Sequence, residues 1–482
     1  MHFRSALYSL GLLAAAAFVN AAPVKVARQS GIPKMVVAHH IVGLTAAFTV
    51  DDWTSDIQLA QANGIDGFAL NVGNDPFTNT QAQNAYQAAE QLNSNFKMFF
   101  SLDMSSFPCS TADDATKIRD LVSQFATRPA QLQVDGKAFV STFAGESCNF
   151  GHANDVPGGW RSEFTQHPEL AGKIHFVPSF FADPSTFSTF TGVMDGTFAF
   201  NSGWPLSLSA AQAPQLLPGV DLNNVDAAGE AALQKIIGNF DQDNQAISGL
   251  ANVQGSAHTY MAAAAPWFFT HFGADTFNKN FIFDGDEHLW VSRWETLIAN
   301  RDQVDLVEVV TWNDFGESHY IGPNNHGQLP PGSEAWVNGF DHQGWLDITN
   351  YFATQFKTGQ APAITKDQLV MWARPHPKNA TPNDPVGAPK DFQLFQDKLW
   401  AVVLATADGS LTLATSDTTS QTFQVKAGVN KFSLALSPGG FMHGTLTRNG
   451  QTTIDLKPDN YTFNPNPPAF NYNAFVASAT SQ

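Results

Sequence analysis

Eight short apolar runs recur along this 482-residue chain, and their spacing constrains the fold more than any other feature. They are Met35–His39, Ile65–Leu70, Phe96–Leu102, Ala138–Phe143, Ile174–Ser179, Gly196–Phe200, Thr259–Ala263 and Leu306–Trp312. They are near-continuous rather than alternating, as strands covered on both faces should be. Helical signals fill the spacers. Trp53, Ile57 and Ala60 share one face, with Trp53 expected in the core and Asn63-Gly64 as the stop. Ala85, Ala88, Ala89 and Leu92 repeat that pattern, and Thr111 to Asp114 reads as a capping box ahead of Ile118, Leu121, Val122 and Phe125. Strand–helix alternation predicts a parallel sheet, and eight repeats predict a closed (β/α)8 TIM barrel with insertions over 34–372. A doubly wound open sheet is the alternative.

The composition changes near Arg374. Residues 373–390 are Pro-rich and lack periodicity, which reads as a linker or an extended edge segment. Residues 391–482 carry six short alternating segments, with turn signals at Asp408-Gly409, Pro438-Gly439 and Asn449-Gly450. That pattern predicts a small antiparallel β-sandwich as an accessory domain.

The N-terminus predicts secretion. Arg4, the apolar stretch Ala6 to Val19 and Asn20-Ala21-Ala22 form a signal peptide over 1–22, and 23–33, with Lys25 and Arg28, reads as a short pro-segment. No later apolar run is long enough to span a membrane. An extracellular, monomeric protein is expected. The 25 basic against 43 acidic residues give a net charge of −18, which argues against nucleic acid and anionic membranes as partners. Cys109 and Cys148, the two cysteines, are expected to form a disulfide in an oxidising compartment. Asn379 and Asn460 open N-glycosylation acceptors, the first followed closely by Pro382.

A barrel of this kind carries its active site at the C-terminal ends of the strands. The polar residues expected there are His39 or His40, Asp66, Asn71, Asp103, Glu146, Asp183, Asn201, Trp204, Tyr260, Trp267 and, after the last run, Trp312, Asn313, Asp314 and Glu317. Carboxylates, amides, imidazoles and tryptophan faces converging on one rim suit a sugar site. Turn capping is the competing explanation for an isolated Asp103 or Asp183, and structural hydrogen bonding for the two histidines. The Asp314/Glu317 pair, set among aromatics behind a buried strand, is harder to read as a solvated loop. No zinc or calcium spacing, nucleophile elbow, phosphate loop or dinucleotide fingerprint is present, so neither metal nor cofactor is expected.

KMVVAHHIVGLT (34–45), DDWTSDIQLAQANGIDGFALNVG (51–73), FKMFFSLDMSS (96–106), FVSTFAGE (139–146) and TWNDFGESHYIGP (311–323) together resemble glycoside hydrolase family 71, the fungal α-1,3-glucanases or mutanases. The resemblance spans 34–372. It implies inverting, endo-type hydrolysis of α-1,3-glucan, with the catalytic acids in an Asp-x-x-Glu motif that falls on Asp314 and Glu317. His40, Asp66, Asn71, Asp103, Glu146, Tyr260, Trp312, Asn313, His319 and Tyr320 are then candidate sugar contacts. Inversion implies carboxyls about 6.5–9.5 Å apart. Glu317 is expected as acid, kept protonated by burial, and Asp314 as base, with the swapped assignment open. A catalytically silent glycan-binding wall protein and a glycosidase for another linkage are the alternatives.

Overall fold

The computed structural model describes residues 32–255, 258–324 and 328–482. The expected signal peptide and most of the pro-segment lie outside the described residues. Each of the eight apolar runs overlaps a strand: β1 Met35–Ile41, β2 Gly67–Val72, β3 Lys97–Asp103, β4 Lys137–Phe143, β5 Ile174–Ser179, β6 Gly196–Ala199, β7 Thr259–Ala264 and β8 Leu306–Val309. All join one curled parallel sheet, extended by a short antiparallel strand at Gln133–Val134. The first strand pairs with both the second and the last, Val37 facing Gly67 on one side and Glu308 on the other. A doubly wound sheet does not join its first and last strands this way. The ladder is interrupted between β5 and β6, where Asp195 takes over: its N–H donates to Phe176 O (2.8 Å) and its carboxylate accepts from Phe176 N (2.8 Å).

Helices cover the outside of the sheet. Val50–Ala62 is capped by Thr49, whose hydroxyl accepts from Asp52 N while Asp52 accepts from Thr49 N, so the reciprocal capping box lies here. At the expected box, Asp114 instead reaches back to the N–H groups of Ser110 and Thr111 (2.8 Å each). Trp53 is fully buried, as its spacing implies.

Cys109 and Cys148 are joined by a disulfide, with Cα atoms 5.1 Å apart and 39 residues of separation. Asn379 and Asn460 are both exposed. No helix among the described residues is long and apolar enough to cross a membrane.

The C-terminal region packs two four-stranded antiparallel sheets. Its first strand is Gln368–Ala373, paired with Lys398–Ala405 and Phe475–Thr480, so the sandwich begins before the junction expected near Ala373. This strand works on both faces. Leu369, Met371 and Ala373 enter the sandwich core, whereas Val370 and Trp372 enter the core of the parallel-sheet region. The period-2 alternation of side chains thus welds the two layers together. Residues 373–390 are not a free linker. Arg374, His376 and Lys378 are buried, and Arg374 donates to His376 O (3.0 Å), Gln396 O (2.9 Å) and Asp397 (2.6 Å).

A buried ion pair ties β7 to its covering helices. Arg293, on helix Leu289–Ala299, clamps Asp243 of helix Asp241–Leu250 through both terminal guanidinium nitrogens (2.7 and 2.8 Å), and its Nε donates to Ala263 O (2.8 Å). Tyr260 O–H donates to the same carboxylate at 2.7 Å. Removing one partner would strand a buried charge. Asp243→Ala should therefore cost about 3–5 kcal/mol, read as a lower urea midpoint with an unchanged slope.

Candidate active site

After β8 the chain folds back on itself. Thr311 N donates to His319 O (2.8 Å), and Ile321 N returns to Thr311 O (3.0 Å). Between them Phe315–Glu317 forms one 3-10 turn, with Asp314 as its N-cap residue. Side chains three apart nearly eclipse in such a turn. Asp314 and Glu317 therefore point the same way, and their nearest carboxylate oxygens lie within 4.8 Å.

Both carboxylates converge on one imidazole. His319 Nε2 lies 3.2 Å from Asp314 and 3.3 Å from Glu317. His319 is fully buried beneath them, stacked on Phe268 (5.4 Å) and edge-on to Trp204 (5.3 Å). Burial disfavours its charge, but the two carboxylates overcome that cost and raise its pKa to about 9. Glu317 also receives Lys279 Nζ at 2.9 Å. Burial works against ionisation of Glu317, yet the Lys279 ammonium and His319 hold it well below the usual carboxylate range. These two cations favour the ionised form of Glu317, whereas a general acid delivers a proton. Asp314, Glu317 and His319 could also hold a cation. Here an ammonium and a protonated imidazole supply the positive charge.

Other polar residues reach the same mouth. The loop is stitched to β1: Trp312 N donates to His39 O (2.7 Å), and Asn313 accepts from Ile41 N (2.7 Å) and donates to Ile41 O (3.0 Å). Asn313 thus fixes the loop. Asp103, at the end of β3, accepts from Ser105 N and Oγ; burial raises its pKa, while Ser105, His39 and Lys279 oppose the rise. Asn71 sits one residue before the end of β2, with register partners Ile41 and Ser101. Glu146 accepts from Phe181 N at 3.1 Å, on the loop after β4.

Five expected contacts lie elsewhere. Asp66 precedes β2 and bonds Val36 N (2.9 Å) and Lys357 (2.7 Å) at the N-terminal end of the sheet, opposite the mouth. His40 points outward to Asp56 of the first helix (3.1 Å), between Trp53 and Phe68. Tyr260 also faces outward, to Asp243. Trp312 is buried against Phe68 and Gly322. Tyr320 is buried and stacked on His342 (4.0 Å). Asp183 is a cap, accepting from Ser185 N at 2.9 Å. Two residues at the mouth escaped the sequence reading. Lys279 arrives on a hairpin and leaves no local signal. Glu308 did leave one, as a charge inside the apolar run LVEVV.

The profile of glycosyl hydrolase family 71 matches residues 32–482. The chain belongs to glycosyl hydrolase family 71. It is 38% identical over 422 residues to the glucan endo-1,3-alpha-glucosidase agn1 of Schizosaccharomyces pombe, covering 87% of this chain and 89% of that protein. It is 32% identical to a mutanase of Penicillium rubens (87% and 83% covered). It is also 32% identical to an ascus wall endo-1,3-alpha-glucanase of S. pombe (82% and 84%). Family 71 membership makes this protein a glycoside hydrolase.

The charge pattern predicts a pH dependence for this hydrolase. The contribution of His319 to stability is complete below its unfolded value near 6.5 and is lost as pH rises through about 9. That of Glu317 is present above the ordinary carboxylate range and lost only in strong acid. An NMR titration should place the His319 imidazole near 9 in the wild type. It should fall by about a unit or more in Glu317→Gln, because one of the two anions that raise it is gone. An unchanged His319 titration would refute the ion-pair arrangement.

Proposed function

We propose that this family 71 protein is a secreted endo-acting hydrolase of α-1,3-glucan, and that Asp314 and Glu317 are its reacting carboxylates. The names of the three relatives support the linkage and an extracellular or wall location. The sharing of His319 Nε2 by two partly exposed carboxylates at the end of β8 carries the assignment. On this reading the curled sheet is a (β/α)8 barrel with an irregular seam at Asp195. The sandwich from Gln368 onward buttresses it, and the exposed Asn379 and Asn460 carry glycans.

The charges assign the roles. Glu317, held ionised, is the base that takes a proton from water. Asp314 relays a proton from the His319 imidazolium, 3.2 Å away, to the departing glycosidic oxygen. The proton that Glu317 gains returns to His319, 3.3 Å away, which balances the cycle. Inversion needs a water between the base and the sugar, at a carboxyl separation of about 6.5–9.5 Å.

The decisive assay is reducing-sugar release from insoluble α-1,3-glucan. Wild type should release sugar, and Glu317→Gln should fall by at least about 1000-fold, the loss of a carboxylate made essential in the transition state. Equal release by both proteins would refute the site. The first product seen by NMR should be the β-anomer; an α-anomer would refute inversion. Lys279→Met should move the acidic limb of the rate profile upward, because Glu317 loses the ammonium that favours its ionised form.

A further inference from the structure

The proposed mechanism leaves one buried ionisable pair unused. His39 Nδ1 and Glu308 Oε1 are 2.6 Å apart, and both side chains are almost completely inaccessible. Their register shows where they point. Val37 pairs with Glu308, and His39 lies two residues beyond Val37, on the same side of β1. His40 faces the outer helix, so His39 faces the inside of the curled sheet. The neighbouring inward position on β2 is Ala69, whose methyl fills little space beside the ring.

Two further observations point to a ligand. Among the described residues, Glu308 Oε2 and Ser101 Oγ are buried without hydrogen-bond partners, and both belong to this inner face. A buried polar atom left unpaired costs about 1–3 kcal/mol, and a ligand or water that bonds it recovers the cost. The second ring nitrogen of His39, Nε2, has no hydrogen-bond partner among the described residues, and the side chain retains 4% of its surface. The pair also adjoins the reaction centre. His39 O anchors Trp312, two residues before Asp314. Its ring meets Phe200 edge-on at 5.3 Å, and Phe200, Trp204 and His319 continue that wall to the carboxylates.

We propose that His39, oriented by Glu308, contacts the substrate directly, its Nε2 bonding a hydroxyl of the glucosyl ring that Asp314 and Glu317 attack. Glu308 is a positioning residue. Its carboxylate accepts the Nδ1–H, which fixes the tautomer and aims Nε2 into the cleft. Asn71 and Ser101, in the adjacent inward layer, complete a polar floor. This inference rests on the glycan-hydrolase reading above and deepens it.

The test uses soluble gluco-oligosaccharides of several linkages, with kcat, KM and thermal unfolding measured for each variant. His39→Phe keeps the ring packing but removes the nitrogens. It should lower kcat/KM by about 10- to 100-fold, the loss of one buried hydrogen bond. His39→Gln should recover part of the loss through its amide. Glu308→Leu should match His39→Phe, and Glu308→Gln, which keeps an acceptor for the Nδ1–H, should recover part of that loss. The double variant His39→Phe/Glu308→Leu should be no worse than either single change, because the two act as one unit.

Losses that multiply in the double variant would overturn the proposal. So would an unchanged kcat/KM accompanied only by a lower unfolding temperature. If the wild type ignores α-1,3-linked substrates but the same pattern appears on another glucan, the linkage assignment fails while the dyad stands.

Discussion

A protonated imidazole held between two carboxylates organises this site. His319 is buried against Phe268 and Trp204, where a charge is expensive unless it is compensated. Asp314 and Glu317 supply the compensation from within 3.2 and 3.3 Å. The dependence runs both ways. Without the imidazolium, two carboxylates with oxygens within 4.8 Å would repel, and one would be driven to protonate. Lys279 adds a second cation from a separate hairpin, which fixes the proton inventory of the pair rather than its position.

The backbone holds that arrangement in place. The 3-10 turn eclipses Asp314 and Glu317, and Asn313 fastens the turn to the last residue of β1 through two hydrogen bonds. The aromatics that look like a sugar platform in the sequence are largely structural. Trp312 fills the space over Gly322, where a Cβ would lie only 2.7 Å from the indole. Tyr320 stacks on His342, whose imidazole bonds both Tyr320 O and Ala474 O, so the loop is also braced from the C-terminal sandwich.

The eight strands were legible because burial on both faces turns each into a continuous apolar run. That same continuity hid their faces. In MVVAHHI nothing distinguishes His39 from His40, and the inward residue proved to be His39. The run at 65–70 concealed where β2 begins; the strand starts at Gly67, which sends Asp66 to the far end. The motif at 311–323 carried the carboxylate pair, but not its protonation. That depends on Lys279, 38 residues away in sequence and brought in by a hairpin with no pattern of its own. The first strand of the sandwich was hidden for the opposite reason. Gln368–Ala373 is apolar on both faces because it serves two cores, so it read as the end of the preceding region.

The most direct test of the account is a crystal structure of Glu317→Gln with a bound α-1,3-linked gluco-oligosaccharide. The account predicts a scissile oxygen within hydrogen-bonding distance of Asp314, a water poised on the opposite face of the ring beside residue 317, and His319 still beneath the pair. An oligosaccharide bound with its glycosidic oxygen remote from Asp314, or lying over a different set of carboxylates, would contradict it.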